Sequence, residues 1–241
     1  MEGRKSIHDA LAGGATVETV YLDRAAADEA EAGVASAAAA AGAELVEVQP
    51  GVLSRACDTV TPQPVAATVR MLDVGLAELA ARRPSFVAVL VGIGDPGNAG
   101  SLLRSVAAAG GGAAVLAAGS VDMYNPKTVR ASAGAIFRLA VAAGATEDEI
   151  LAQLRGRAIR VLAAVAAKGV PYTDVDLSGP VAVLLGNEAH GLSRELVEAA
   201  DTAVTIPTEE GTESLGVAAA GAVLCFEAAR QRRLNSVAGA A

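Results

Sequence analysis

Three stretches of the 241-residue chain set polar side chains among glycines and tight turns in the way a ligand site does. In Gly186-Asn187-Glu188-Ala189-His190-Gly191-Leu192-Ser193 a carboxylate sits between two glycines, directly after the apolar run Val181-Ala182-Val183-Leu184-Leu185. Gly186 lets a backbone approach a ligand closely, and Gly191 permits the turn before a helix that Ser193 caps. In Gly92-Ile93-Gly94-Asp95-Pro96-Gly97-Asn98-Ala99-Gly100, Asn98 is a natural helix N-cap. Arg104 follows on the polar side of that helix, shared with Ser101 and opposite Leu102, Leu103 and Val106. A guanidinium placed there suits a phosphate, because its planar fork matches phosphate oxygens in pairs. The third stretch, Ile206-Pro207-Thr208-Glu209-Glu210-Gly211-Thr212-Glu213-Ser214-Leu215-Gly216-Val217, ends on a hydroxyl that also reads as the N-cap of the last helix. The second stretch admits another reading. Its literal G-x-G-x-x-G between a strand and a helix fits a dinucleotide fold with a pyrophosphate at the helix N-terminus. The acid expected about 20 residues on is represented only by Asp122, which lies beyond the second strand rather than at its end.

The elements that position these residues read as an α/β protein. Val181 to Leu185 has no polar alternation, so both of its faces must be covered, as in a parallel sheet. Ligands on such sheets gather at the carboxyl ends of the strands, where Gly186 sits. From Phe86 onward strands and helices alternate. The strands are 86–91, 113–118, 138–141, 159–165, 181–185 and 203–206, and the helices are 99–109, 127–132, 146–155, 193–199 and 214–231. This is the pattern of a mostly parallel sheet with helices on both faces. The first seventy or so residues read as a separate, smaller α/β unit, with helices at 6–12, 25–41 and 52–57 and strands at 17–22, 44–48 and 65–69. The expected organisation is a domain over 1–72, a linker over 73–84 that Pro84 closes, and a second domain over 85–241.

Composition narrows the class. The chain is 52% hydrophobic but only 2% aromatic and has no Trp, so its core is built from Ala and Val and packs helices close to the sheet. No run approaches the 18 apolar residues that a spanning helix needs, and Met1-Glu2-Gly3-Arg4-Lys5 does not lead into a signal-peptide core. A cytoplasmic protein without membrane contact is expected. Cys57 and Cys225 match no metal-ligand spacing and read as reduced core residues, so no metal is expected. The net charge of −8 argues against nucleic acid as a partner, because phosphate-binding domains are usually basic, although Arg82-Arg83, Lys127 with Arg130, Arg155 to Arg160 and Arg230 to Arg233 form local basic clusters.

Together the motifs carry a family resemblance over nearly the whole chain. Asp95-Pro96-Gly97-Asn98-x-Gly100-x-x-x-Arg104, Leu184-Leu185-Gly186-Asn187-Glu188-x-x-Gly191-Leu192 and Ile206-Pro207-x-x-x-x-x-Glu213-Ser214-Leu215 resemble, in order and spacing, the three motifs of the SpoU/TrmH family of RNA ribose 2′-O-methyltransferases, within the SPOUT superfamily. Asp122-x-Tyr124-Asn125-Pro126-Lys127 and Arg130-Ala131-Ser132-Ala133-Gly134 are similar to family sequence as well. Glu2-Gly3-Arg4 and Thr61-Pro62-Gln63 resemble the small ribosomal-protein-like substrate-binding domain that many members carry.

The resemblance implies a C-terminal sheet tied in a deep trefoil knot, a homodimer, S-adenosylmethionine as cofactor and RNA as substrate. By analogy the RNA is 23S ribosomal RNA rather than transfer RNA. It also implies backbone contacts to the cofactor around Gly186, Ile206 and Leu215, and a catalytic end formed by Asn98, Arg104, Glu188 and Ser214. Arg104 is then expected to fix the neighbouring phosphate and stabilise the developing alkoxide, with Glu188 orienting Arg104 or Asn98. His190 falls on a variable position and has no expected role. Two departures stand out. Gly216 takes the place of a common Asn, and the basic helix that precedes the Glu-Gly signature in many members is missing, which reads as a shortened start with a weaker grip on RNA. The competing readings are a dinucleotide-binding oxidoreductase and a knotted RNA-binding protein without catalysis.

Overall fold

The structure, a computed structural model, describes residues 1–57, 59, 61–209 and 214–238. The chain divides into two compact units, Met1–Leu72 and Asp73–Ala241.

The first unit runs α1 (Arg4–Ala12), β1 (Val17–Asp23), α2 (Glu29–Ala40), β2 (Glu44–Val48), α3 (Val52–Ala56) and β3 (Val65–Val69). Its sheet has the order β2-β1-β3, with β2 parallel and β3 antiparallel to β1. Val20 and Leu22 of β1 and Val65 and Ala67 of β3 are buried, as are Ile7 and Ala10 of α1 and Ala35 and Ala38 of α2. Helix α2 starts later than the Ala-rich composition suggests, because local hydrogen bonds claim the residues before it. Asp28 accepts from Glu31 N (2.9 Å) while Glu31 Oε2 accepts from Asp28 N (2.8 Å), forming a capping box. The turn ahead of it is held by buried Asp23, which accepts from Ala25 N, Ala26 N and Gly51 N.

The second unit opens with α4 (Leu76–Ala81), which lies inside the stretch read from sequence as a linker. Its Leu79 and Ala80 are fully buried, and Val74 N donates to Val141 O at 2.8 Å, so 73–84 belongs to the packed body of this unit. After it come β4 (Phe86–Leu90), α5 (Pro96–Ala108), β5 (Ala113–Leu116), α6 (Pro126–Ala131), a 3-10 turn at Ala135–Phe137, β6 (Ala140–Ala143), α7 (Glu147–Arg155) and β7 (Arg160–Ala164). The chain continues through β8 (Val170–Pro171), a 3-10 turn at Tyr172–Asp174, β9 (Val181–Leu185), α8 (Arg194–Ala199), β10 (Thr202–Thr205) and α9 (Val217–Ala238).

These strands form a seven-stranded sheet, ordered β6-β5-β4-β9-β7-β10-β8, in which every pairing is parallel. Phe86, Ala88, Leu90, Val183 and Leu185 pack on one face with Leu102, Leu103 and Val106 of α5 and Leu224 and Ala228 of α9. Val87, Val89, Ala182 and Leu184 pack on the other with Leu79, Ile150, Leu151, Leu154 and Leu196 of α4, α7 and α8. Apolar layers on both faces explain why β4 and β9 carry no polar alternation. The small-residue core allows close approach of the helices: a methyl on Gly221 would run into Leu102 and Leu185. The chain places β5 and β6 to one side of β4 and β7 beyond its other side, then inserts β9 between β4 and β7. The loops leaving β4 and β9 thereby become neighbours at one carboxyl edge, at a switch in strand order of the kind where parallel sheets hold ligands.

Candidate active site

The loop after β4 is shaped by Gly92, which has a left-handed φ of 62°, and by Val91 N, which donates to Leu185 O across to β9 (2.9 Å). Helix α5 then begins at Pro96 with Asp95 as its cap, not at Ala99 with Asn98 as the cap that the sequence suggested. Pro fits the first helical position because its fixed φ suits it and its missing N–H is not needed there. Asp95 Oδ1 accepts from Asn98 N at 2.8 Å. Relieved of capping, the Asn98 side chain turns across the gap, and its Nδ2 donates to Glu188 Oε1 at 3.0 Å.

The loop after β9 is folded against itself. At Gly186 an added Cβ would meet the Gly191 carbonyl carbon, with Leu192 N at 2.5 Å and Gly191 O at 2.7 Å, so only glycine fits. Gly191 turns the chain with φ 68°, and Ser193 caps α8 by accepting from Leu196 N (3.1 Å). Asn187 ties this loop down. Its Oδ1 accepts from Ala189 N (2.9 Å) and His190 N (3.2 Å), and its Nδ2 donates to Gly92 O (2.8 Å). Glu188 then reaches the neighbouring loop, accepting from Asp95 N (3.4 Å) and Gly94 N (3.5 Å) as well as from Asn98.

The electrostatics follow from these donors. Burial alone would raise the Glu188 carboxyl, but hydrogen bonds from the Asn98 side chain and from backbone N–H groups, including those of Gly94 and Asp95, outweigh it and leave it below the ordinary carboxylate range. The Asp95 carboxyl is also held low, first by Asn98 N and then by Lys127, whose Nζ lies 3.4 Å from Oδ2. Two ionised carboxylates therefore take the N–H groups of residues 94, 95 and 98. A pyrophosphate in a dinucleotide fold would need those same donors and would meet negative charge there, so the G-x-G-x-x-G of this loop is a structural turn.

Arg104 is exposed on α5, on the same side as exposed Ser101. Among the described residues its side chain makes no hydrogen bond or ion pair, and Glu188 pairs with Asn98 rather than with Arg104 as one of the sequence expectations had it. Ile206 follows β10 and is partly buried against the core, while Ser214 and Leu215 are exposed, Leu215 by 41%. Helix α9 starts at Val217, with Gly216 O accepting from Ala220 N (3.0 Å), so Gly216 and not Ser214 stands at the cap position. Glu213 of the third motif lies outside the described residues. His190 is exposed.

Sequence reasoning assigned no separate role to three residues that build this site: Asn187, Asp95 and Lys127. The signal for Asp95 was the Asp-Pro pair, which marks a cap followed by a first helical residue. Among the described residues no group of three His, Cys, Asp or Glu side chains is arranged to hold a metal, and no helix is long and apolar enough to cross a membrane.

Residues 85–226 match the SpoU rRNA Methylase family, and residues 1–67 match the MRM3-like substrate binding domain. The 23S rRNA (guanosine(2553)-2′-O)-methyltransferase RlmP of Bacillus subtilis is 33% identical over 173 residues, which cover 72% of this chain and 67% of that protein. The SpoU methyltransferase AviRb of Streptomyces viridochromogenes, solved in complex with AdoMet, superposes with a TM-score of 0.83 at 27% identity, covering 97% of this chain and 90% of that one. An AdoMet-bound rRNA methyltransferase from Sinorhizobium meliloti superposes with a TM-score of 0.81 at 31% identity, covering 95% of this chain and 86% of that one. With its family model spanning more than half the sequence, the chain belongs to the SpoU rRNA methylase family.

Proposed function

We infer that the chain is an S-adenosylmethionine-dependent RNA methyltransferase acting on a ribose 2′-hydroxyl, with 23S ribosomal RNA as its substrate. The observation that carries this reading is the junction of two motif loops through Asn98 and Glu188, six residues before Arg104, which has no partner among the described residues. The AdoMet-bound relatives and the 23S-specific relative support the cofactor and the substrate.

The residues at the carboxyl edge fit the cofactor. Gly186, Ile206 and Leu215 bring backbone groups and partly uncovered apolar surface but no ionisable side chain, which suits a purine and an aliphatic sulfonium chain better than a phosphate. When bound there, S-adenosylmethionine supplies an electrophilic methyl group on sulfur. The chain's own side chains prepare the other reactant. A ribose hydroxyl is a weak nucleophile, so its orientation and the charge that develops on its oxygen are what the protein must control. Arg104 holds the adjoining phosphate and, as a cation, stabilises the negative charge developing on the 2′-oxygen; the hydroxyl proton released as the oxygen takes the methyl group passes to solvent, since a guanidinium is not a base at ordinary pH. Glu188, itself anchored by two backbone N–H groups, keeps the Asn98 amide in a fixed orientation. Ser214 contributes a hydroxyl from the third loop.

The rest of the reading follows the family. Residues 1–72 form the RNA substrate-binding domain and the unit from Asp73 onward the methyltransferase domain, tied in the family's trefoil knot. The enzyme acts in the cytoplasm as a homodimer. The apolar side chains of Phe226 and Leu234, exposed by 46% and 56% on α9, suit a face covered by a second copy.

The test is methyl transfer from labelled cofactor to ribosomal RNA taken from a strain lacking the protein. Arg104→Ala should lower transfer by at least about a hundredfold, the scale of losing one stabilising group from a charge-developing transition state, while thermal stabilisation by S-adenosylhomocysteine stays as in wild type. Turnover within severalfold of wild type would show that Arg104 has been given the wrong role.

A further inference from the structure

Charge is distributed very unevenly along the chain. Residues 96–146, spanning α5 to β6, contain four cations (Arg104, Lys127, Arg130 and Arg138) and a single acid, Asp122. The other 190 residues hold fifteen cations and twenty-six acids, so a segment of net charge +3 sits within a remainder of −11. Three of the four cations are arginines, and all four are exposed.

Packing brings together the two helices that carry three of them. A Cβ on Gly100 would lie 2.5 Å from Ala131 Cβ, 2.5 Å from Thr128 O and 2.9 Å from Ser132 N, so α5 and α6 touch at the backbone. Nearer the start of α5, Gly97 would place a Cβ 3.7 Å from Lys127 Cε, and Lys127 pairs with Asp95. The two helices therefore run side by side in the same direction. Lys127 and Arg130, three residues apart, share one face of α6, while Thr128 and Ser132 on its other face are buried. Following the helices away from the Asn98–Glu188 junction leads from Lys127 to Arg130 on α6 and to Arg104 on α5. The chain then makes the 3-10 turn, whose Ile136 and Phe137 pack in the same core as α5, and reaches exposed Arg138.

The acids near this surface are already engaged or few. Asp95 is paired with Lys127 and caps α5, and Asp122 Oδ1 accepts from Tyr124 N at 2.8 Å. The side chains of Arg104, Arg130 and Arg138 make no hydrogen bond or ion pair among the described residues. Exposed guanidinium groups left free of acids are suited to the phosphates of a nucleic-acid strand.

We propose that Arg130 and Arg138 form a phosphate-binding surface that continues from Arg104 and grips the RNA backbone flanking the methylated nucleotide. This rests on the reading of the chain as an RNA methyltransferase. It assigns the two arginines to RNA affinity and not to the chemistry at the ribose.

Direct binding tests it independently of turnover. Filter binding of an unmodified, labelled 23S ribosomal RNA transcript is measured between 50 and 200 mM KCl for wild type, the double variant Arg130→Gln/Arg138→Gln, and Arg157→Gln. Arg157 is exposed at the end of α7, outside the segment, and controls for the loss of a positive charge. The double variant should bind about tenfold more weakly, with a salt slope lower by about 1.4, because each phosphate contact on a single strand contributes about 0.7. Arg157→Gln should match wild type. In methyl transfer the double variant should raise KM for RNA about tenfold with kcat within about twofold, and its thermal midpoint should not move. Wild-type affinity and slope in the double variant would overturn the proposal, as would an equal loss in Arg157→Gln. If wild type binds RNA by these arginines yet transfers no methyl group, the surface stands and the enzymatic reading falls.

Discussion

Two glycines in two of the site's loops show how differently those loops are held. At Gly186, after β9, an added methyl group would strike the backbone of Gly191 and Leu192, whereas at Gly216, ahead of α9, it would meet nothing within 4 Å among the described residues. The first loop is bound to itself and to its neighbour by Asn187 and Glu188, and its shape is set by contacts already present in the protein. The second presents Ser214, Leu215 and Gly216 to solvent. The lesson is that one loop supplies geometry and the other supplies surface, so the same kind of substitution should have unequal consequences in the two.

The largest effect is expected where an added group meets backbone. Gly186→Ala should destabilise the second unit by about 2–3 kcal/mol, in the range of overpacked cores, and should displace Glu188 with the rest of its loop. A misplacement on the order of 1 Å costs catalysis about a hundredfold. Thermal unfolding and methyl transfer report the two losses separately. Wild-type behaviour in Gly186→Ala would mean that the loop can relax away from the collision and that its shape is not the limiting feature.

An intermediate effect tests the hydrogen bonds rather than the packing. Asn187→Ala leaves Gly92 O and the N–H groups of Ala189 and His190 without their partner, a cost of about 1–2 kcal/mol for partly buried groups. Methyl transfer should fall about tenfold. Acidification probes the same junction through Glu188. Its carboxyl is lowered in the folded protein, so its bonds to Asn98, Gly94 and Asp95 contribute fully above the ordinary unfolded carboxylate value and are lost as pH falls through the folded one. Stability of wild type and Glu188→Gln should therefore differ at pH 7 and converge on acidification. A difference that persists unchanged to low pH would show that the charge on Glu188 is not what joins the loops.

How much of this was readable in advance depends on how local each feature is. Strand β9 was read at its observed bounds, because burial on both faces leaves an uninterrupted apolar run, and Ser193 was read as a cap because its partner Leu196 N is three residues away. Strand β8 was missed, since two residues, one of them proline, carry no pattern. The start of α5 was placed too late because Asn98 is as good a cap residue as Asp95, and only the Pro between them decides. The motifs marked Asn98, Arg104 and Glu188 as belonging together, but not which of them touch. That Glu188 meets Asn98, ninety residues away, follows from the insertion of β9 beside β4, and no local periodicity encodes strand order.

The smallest effect is expected at Gly216, where the chain departs from the Asn common in the family. Its carbonyl accepts the first helical hydrogen bond of α9, so it occupies a cap and not a helix interior. In an interior position glycine would cost about 1 kcal/mol relative to Ala. At a cap, glycine is only a few tenths of a kcal/mol worse than Asn. The departure is therefore nearly neutral for the fold, and the backbone group that α9 needs from this position is present with either residue. Asn98, Arg104, Glu188 and Ser214 are all retained in the chain, so activity should survive the missing amide. Gly216→Asn is expected to change methyl transfer to ribosomal RNA by no more than about twofold and the unfolding free energy of α9 by a few tenths of a kcal/mol. The decisive comparison sets wild type, Gly216→Asn and Arg104→Ala side by side on the same RNA. Wild type as inactive as Arg104→Ala, together with activity gained by Gly216→Asn, would mean that the exposed loop had lost a catalytic group, and that the well-held loop preserves a site no longer in use.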